Sequence, residues 1–118
     1  MTIILADNTS LLVAGVLGGR EPYQGARREW LEILVTQEGH TLEALEAQLS
    51  PEATASLTIQ DDEGERYLHT GYVLRGPARI YQDESSGTWM IGLKRYQQTE
   101  MEAQMGQLLG ALARGLAL

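Results

Sequence analysis

The chain has 118 residues, enough for one domain that buries a hydrophobic core without disulfide bonds. It contains no cysteine, which excludes disulfide bonds and thiolate chemistry. Nine Lys and Arg stand against sixteen Asp and Glu, and ten of these acids lie between Arg28 and Arg66, where there is no Lys or Arg. Because nucleic-acid binding needs clustered positive charge, this distribution argues against a nucleic-acid partner.

The N-terminal segment lacks the features of a secretion signal. Residues 1–5 contain four apolar side chains, but no basic residue precedes them and the apolar run is short. No apolar stretch of the chain reaches 18 residues. We therefore expect neither signal-peptide secretion nor insertion into a membrane.

The first elements in chain order are predicted to be strands. Residues 2–6 and 9–13 are expected to pair as a hairpin around the tight turn Asp7-Asn8. The strand that follows contains Gly15, Gly18 and Gly19, which predict an irregular strand with a bulge or a close backbone approach. Residues 20–25 contain Pro22 and Gly25 and are expected to form a mobile loop.

Residues 27–35 are predicted to form a strand because they are rich in Trp, Ile and Val. The spacing of Trp30, Ile33 and Leu34 would also suit one face of a helix, so the period alone leaves both open. The strand is preferred here on composition.

Residues 41–49 are predicted to form a helix. Leu42, Leu45 and Leu49 fall on one helical face, and the hydroxyl of Thr41 is placed to cap the N-terminus. Pro51 disfavours helical geometry at the residue before it, so the helix is expected to end there. Such a short helix must pack on a sheet to be stable.

Residues 54–96 are predicted to form an antiparallel meander of three or four strands. Acidic turns are expected at residues 60–64 and 83–87, where Asp and Gly are concentrated. Gly76-Pro77 interrupts the third run, so residues 78–82 are expected to form a short edge or bent strand. The last run, from Trp89, alternates apolar and other residues as a half-buried strand does.

Residues 97–118 are predicted to form a second helix. Its apolar residues are spaced 4, 3 and 4 apart, as in a coiled-coil seam. Three interpretations stay open: self-association or docking to a partner, docking onto the protein's own sheet, and binding to a membrane surface, which the single basic residue Arg114 disfavours. The predicted association surface consists of Met101, Met105, Leu108, Leu112 and Leu116.

No catalytic, cofactor-binding or metal-binding residues are predicted. His40 and His69 are the only histidines, and neither lies in a metal-binding spacing. The acids of residues 61–65 are expected to form a hairpin turn, because a calcium-binding EF-hand loop needs helices on both sides. No GxSxG, GxGxxG or GxxxxGK[ST] sequence is present, so an enzyme is the weakest of the functional hypotheses.

The order of features resembles a family of small tail- or baseplate-associated structural proteins of tailed bacteriophages and prophages of Gram-positive hosts. The resemblance is carried by a short N-terminal hairpin with Asp7-Asn8 and, over most of the chain from residue 41 onward, by five segments. It implies a non-enzymatic protein that acts through protein–protein contacts. The segments are TLEALEAQLS at 41–50, LTIQDDEGE at 57–65, GYVL at 71–74, GTWMIGLKR at 87–95 and the helix that begins near Glu100.

Together, these patterns predict an α+β fold with a small antiparallel sheet, one short helix packed on it and an apolar C-terminal helix. Residues 1–98 are expected to form the body and residues 99–118 the C-terminal helix. The resemblance implies a homo-oligomer, or a partner of other phage tail proteins, located in the bacterial cytoplasm during assembly and then in the particle. The alternative is a monomeric module that binds a carbohydrate or peptide through Tyr23, Trp30 and the loop expected within residues 15–25.

Overall fold

The computed structural model describes the backbone of residues 1–116 and the side chains of residues 1–115. It contains three helices and eight strands, and it confirms the antiparallel α+β class. The helices are α1 (Leu42–Gln48), α2 (Pro51–Thr54) and α3 (Glu100–Leu116). The strands are β1 (Thr2–Ile4), β2 (Ser10–Leu12), β3 (Gly15–Tyr23), β4 (Ala26–Thr36), β5 (Ser56–Gln60), β6 (Arg66–Thr70), β7 (Leu74–Gln82) and β8 (Trp89–Tyr96).

The strands form two sheets of four rather than one meander. Sheet A has the order β2-β1-β5-β6 and sheet B the order β3-β4-β8-β7, and every pairing is antiparallel. The predicted meander of residues 54–96 is therefore divided, with its first hairpin in sheet A and its second in sheet B. The chain changes sheets at Gly71, whose positive φ of 81° follows the end of β6.

One hydrophobic cluster joins the two sheets and α1. Residues of both sheets, Leu45 of α1 and Leu49 at its C-cap are almost completely shielded from solvent within it. The cluster explains why the short α1 is stable, since packing rather than length holds a helix of seven residues. Its most deeply buried members are Ile3, Ile33, Val35, Leu45, Leu49, Leu57, Ile91 and Leu93.

The predicted N-terminal hairpin is confirmed, but the prediction of a mobile loop at residues 20–25 is wrong. Asn8 adopts a positive φ of 69° between β1 and β2, as a tight turn requires. Residues 20–23 belong to β3, and the turn is confined to Gln24 and Gly25, with φ of 47° and 80°. Pro22 is tolerated because β3 is an edge strand, where a missing N–H need not break the ladder.

The helix predicted at residues 41–49 is confirmed as α1, and Thr41 caps it by accepting the N–H of Ala44 at 3.1 Å. The sequence prediction ended the helical region at Pro51, whereas this proline begins α2. Ser50 caps α2 by accepting the N–H of Ala53 at 3.3 Å, and proline is favoured at the first helical position.

The predicted edge position of the strand before the last turn is confirmed, but its predicted length is wrong, because β7 has nine residues and runs through Gly76-Pro77. The register shifts between Arg75 and Ala78, and β7 lies at the edge of sheet B, as the Gly-Pro interruption predicted. The strand β8 is central and buried along most of its length, whereas its first residue, Trp89, is 51% exposed. Alternation predicted one buried face, but residues of the other face are buried too, Gly92 against the Glu32 side chain and Tyr96 against the Tyr23 ring.

Candidate functional site

The start of α3 is fixed by a capping box. The hydroxyl of Thr99 accepts the backbone N–H of Glu102 at 3.2 Å, and the Glu102 carboxylate accepts the N–H of Thr99 at 2.7 Å. The sequence Thr99-Glu100-Met101-Glu102 carries the S/T-x-x-E signature of this motif, which the sequence prediction did not use. The capping box sets the first residue of the helix.

The same glutamate holds α3 to the body. Arg28 is 3% exposed, and its guanidinium binds both carboxylate oxygens of Glu102, one of them at 2.9 Å. It also donates to the carbonyls of Tyr23 at 2.7 Å, Gln24 at 3.0 Å and Gln97 at 3.3 Å. Arg28, followed by the Thr99 N–H, lowers the pKa of Glu102 to about 2. The carboxylate is therefore ionised in the folded protein across the neutral range.

Beyond its first turn, α3 leaves the surface of the body. Every residue from Gln104 to Gly115 is exposed except Gly110, which is half-buried. Beyond its first turn, the described part of the helix therefore does not pack on its own sheets, contrary to the interpretation that it docks there along its length. A helix whose apolar residues face solvent lacks the tertiary packing that normally stabilises helices.

Four apolar side chains form a line along α3, which we call the apolar stripe: Met101, Met105, Leu108 and Leu112. At 3.6 residues per turn they lie within an arc of about 60°. Their exposed fractions are 76%, 53%, 55% and 55%, and Leu109 beside them is 59% exposed. The structure therefore brings together four of the five predicted association residues, while the side chain of Leu116 lies outside the described residues.

The side of α3 opposite the apolar stripe carries two glycines with open space around them. A Cβ added at Gly106 would meet no atom within 4 Å, and one at Gly110 would meet only the tip of the Arg114 side chain at 3.5 Å. The helical positions of both glycines lie opposite the apolar stripe. These glycines do not accommodate a neighbouring backbone within the described structure.

The aromatic residues of the alternative ligand site contact their own chain. Tyr23 stacks on Tyr96 with ring centroids 3.8 Å apart and donates its hydroxyl to the carbonyl of Arg75 at 2.9 Å. The Nζ atom of Lys94 lies 4.1 Å from the centroid of the Trp30 ring. The glycine-rich segment expected to form a loop beside these rings is the regular strand β3.

The structure does not bring the two histidines and the acidic turn of residues 61–65 together into one site. The His69 ring packs edge-on against Tyr72 at 5.9 Å, and the backbone N–H of His40 donates to Gln37 in a turn. The Asp61 carboxylate accepts the backbone N–H groups of Glu63 and Glu65, both at 2.9 Å, which confirms the hairpin turn. Within residues 1–116, no group of three or more His, Cys, Asp or Glu is placed to hold a metal ion.

Two further results describe the chain as a whole. Over its described length, none of its helices has both the length and the hydrophobicity needed to cross a membrane. No protein-family model, curated protein or solved structure matches the chain. The resemblance to phage tail proteins therefore stays a prediction from the sequence pattern.

Proposed function

We propose that this protein is a non-enzymatic structural or adaptor subunit of a phage or prophage tail-like particle, and that it assembles through α3. The observation that carries the proposal is the apolar stripe, whose four side chains are each more than half exposed. Contiguous exposed apolar patches mark sites of protein–protein contact. A helix with an exposed apolar line pairs with another helix or lies in an apolar groove.

The free energy gained by burying the stripe can be compared with the cost of association. Burying a fully exposed Leu or Met side chain contributes about 1.5–3 kcal/mol, so a half-exposed one contributes roughly 1–2 kcal/mol. Two copies of the stripe bring eight such side chains together, or roughly 8–16 kcal/mol. Association itself costs about 4–15 kcal/mol. Because the gain and the cost are of similar size, we expect a single pair of helices to associate weakly.

Weak contacts of this kind suit a subunit of a repeating particle. When many copies are held side by side, each further contact is effectively intramolecular, and avidity exceeds the affinity of one contact. The phage setting itself is supported by the resemblance of residues 41–95 and the helix after them to tail-associated proteins. On this proposal the protein is made in the bacterial cytoplasm and then enters the particle.

The association part of the proposal is tested by placing charge on the stripe. Replacing Leu108 and Leu112 by Asp should abolish association, because two carboxylates cannot be buried between helices without partners. The matched control replaces Gly106 and Gly110 by Asp, which adds the same charge at the same spacing on the opposite side. In sedimentation velocity the first variant should be monomeric and the control should associate as the unchanged chain does.

Equal association of both variants would show that the stripe is not the contact surface. The phage part is tested separately, by isolating tail particles from an induced culture of the bacterium that encodes the protein. The subunit should copurify with the particles in a fixed ratio to their other proteins. Its absence from intact particles would contradict the setting while leaving association through α3 unaffected.

The alternative, a monomeric carbohydrate- or peptide-binding module, has less support. Its two aromatic residues already contact Lys94 and Tyr96 of the same chain. The exposed Trp89 lies elsewhere, beside Gln37 and Thr88 at the end of sheet B. A carbohydrate site usually needs open aromatic faces, whereas Lys94 and Tyr96 already lie against the rings of Trp30 and Tyr23.

A further inference from the structure

We propose that α3 pairs antiparallel with α3 of a second copy of this chain, around a two-fold axis near the middle of the apolar stripe. The inference rests on the proposed association through this helix and adds its partner and its orientation. Three features of the described helix support it: the spacing of the stripe, the distribution of charge along α3 and the position of the body.

The spacing of the stripe is the same in both directions. The intervals of 4, 3 and 4 residues read identically from either end, so a reversed copy presents its side chains at the same levels. Met101 then meets Leu112 of the second copy, and Met105 meets Leu108. A two-fold axis generates each contact twice, as an isologous interface requires. All four stripe residues of both copies are buried in matched layers.

The spacing would also allow a parallel pair, and the charges of α3 distinguish the two orientations. Glu100 and Glu102 lie in the first turn, and Arg114 lies in the last. The antiparallel pair brings the last turn, with Arg114, to the level of the first turn of the second copy, with its two glutamates. In the antiparallel pair the two helix dipoles also point in opposite directions, so each partly positive end lies beside a partly negative end. A parallel pair would bring the Glu100 carboxylates of both copies to one level.

The body adds to this preference. It is attached at the N-terminal end of α3 through Arg28 and Glu102, and the whole chain carries a net charge of −7. In a parallel pair, two acidic bodies would lie side by side at one end of the helices, whose axes are about 8–10 Å apart. In the antiparallel pair, the bodies lie at opposite ends of the stripe. Repulsion between like-charged bodies is lower there.

Cysteine cross-linking tests the orientation, because the chain has no cysteine of its own. One full-length variant carries Met101→Cys and a short affinity tag, and the other carries Leu112→Cys without a tag. The two are mixed and oxidised mildly. The antiparallel pair predicts a cross-linked species of mixed mass that is several-fold more abundant than the cross-linked product of either variant alone.

A second pair, Met105→Cys with Leu108→Cys, keeps the outer layers intact and should behave in the same way. If each variant instead cross-links with itself and the mixed species does not exceed it, α3 associates in parallel. That outcome overturns the orientation and leaves the proposed function standing. If neither pair cross-links while light scattering shows a monomer, both the orientation and the association through α3 are overturned.

Discussion

Among single residues, Arg95 shows how the body is held together. Its side chain is 1% exposed, and it donates to the carbonyl of Leu49 at the end of α1 from two nitrogens, at 3.2 and 3.1 Å. It also binds the carboxylate of Glu46 at 3.1 Å. A cation at the C-terminus of a helix interacts favourably with the helix dipole and satisfies carbonyls that the helix leaves unpaired. Arg95 therefore fixes the end of α1 on sheet B.

Arg95→Met should destabilise the protein by about 2–3 kcal/mol, because the Leu49 carbonyl would lose its side-chain donor and the partly buried Glu46 would keep only the more exposed Arg75. Arg75→Met is the matched control, since Arg75 pairs with the same carboxylate while 44% exposed. An exposed pair contributes about 1 kcal/mol or less. Urea denaturation measures the free energy of unfolding of each variant, provided that the m-values agree. Equal losses would contradict the role assigned to the buried arginine.

Glu102 makes the attachment of α3 dependent on pH. Its pKa of about 2 lies below the ordinary value of 4.5, so the ionised carboxylate stabilises the fold above pH ~4.5. That contribution is lost as the pH falls from ~4.5 towards 2. Because the side chain is 43% exposed, salt should reduce the effect. Glu102→Gln should remove this part of the pH dependence of unfolding, whereas Glu100→Gln should leave it unchanged.

The result that would contradict this account is an acid unfolding curve that is the same for Glu102→Gln and the unchanged chain. The pKa of Glu102 can be followed directly by NMR titration of its carboxyl carbon. A midpoint near the ordinary value of Glu would show that Arg28 does not hold the start of α3 in solution.

At the scale of the elements, the glycines of α3 lower its intrinsic stability. Gly106→Ala and Gly110→Ala should each stabilise the helix by about 1 kcal/mol, because alanine loses less backbone entropy. Space is available at both positions, so no contact opposes the change. Helical circular dichroism and thermal unfolding measure the gain. Association should be kept or strengthened, since both positions lie opposite the stripe.

Gly19→Ala is the opposite case and serves as the control. A Cβ there would lie 2.6 Å from Cζ2 of Trp30, so the ring would have to move away from β3. We expect this change to lower the melting temperature. If Gly106→Ala instead weakened association, the face with the glycines would be a contact surface, contrary to the assignment of the apolar stripe.

The elements show which parts of the fold can be predicted from local pattern. Alternation, turn residues and a helical cap were sufficient for β1, β2, α1 and the strand that begins at Trp89. They failed at residues 20–25, where Pro and Gly suggested a loop but an edge strand tolerates both. A local pattern does not contain the information that β3 has an open edge.

The roles of the two arginines could not be predicted for a related reason. Arg28 lies 74 residues from Glu102, and Arg95 lies 46 residues from Leu49. Only the tertiary fold brings these groups together. The capping box at Thr99 was predictable, because its residues are three apart. The apolar stripe was also predictable, since helical spacing places its residues on one face without any tertiary information.

For the whole molecule, the central point is the contrast between the body and α3. The core is built from both sheets and α1, and none of its members lies in α3. Residues 1–98 therefore contain the complete described core. A folded body combined with an exposed apolar helix is the arrangement expected of a subunit that completes its packing with another copy.

The most direct test is the solution mass by light scattering, from a few micromolar to about 1 mM protein, the range in which weak pairing is expected. The account predicts that the mass of the intact chain rises with concentration from 13.0 kDa towards twice that value. A chain that ends at Gln98 should remain a folded monomer throughout. An intact chain that stays at 13.0 kDa over the whole range would contradict self-association through α3.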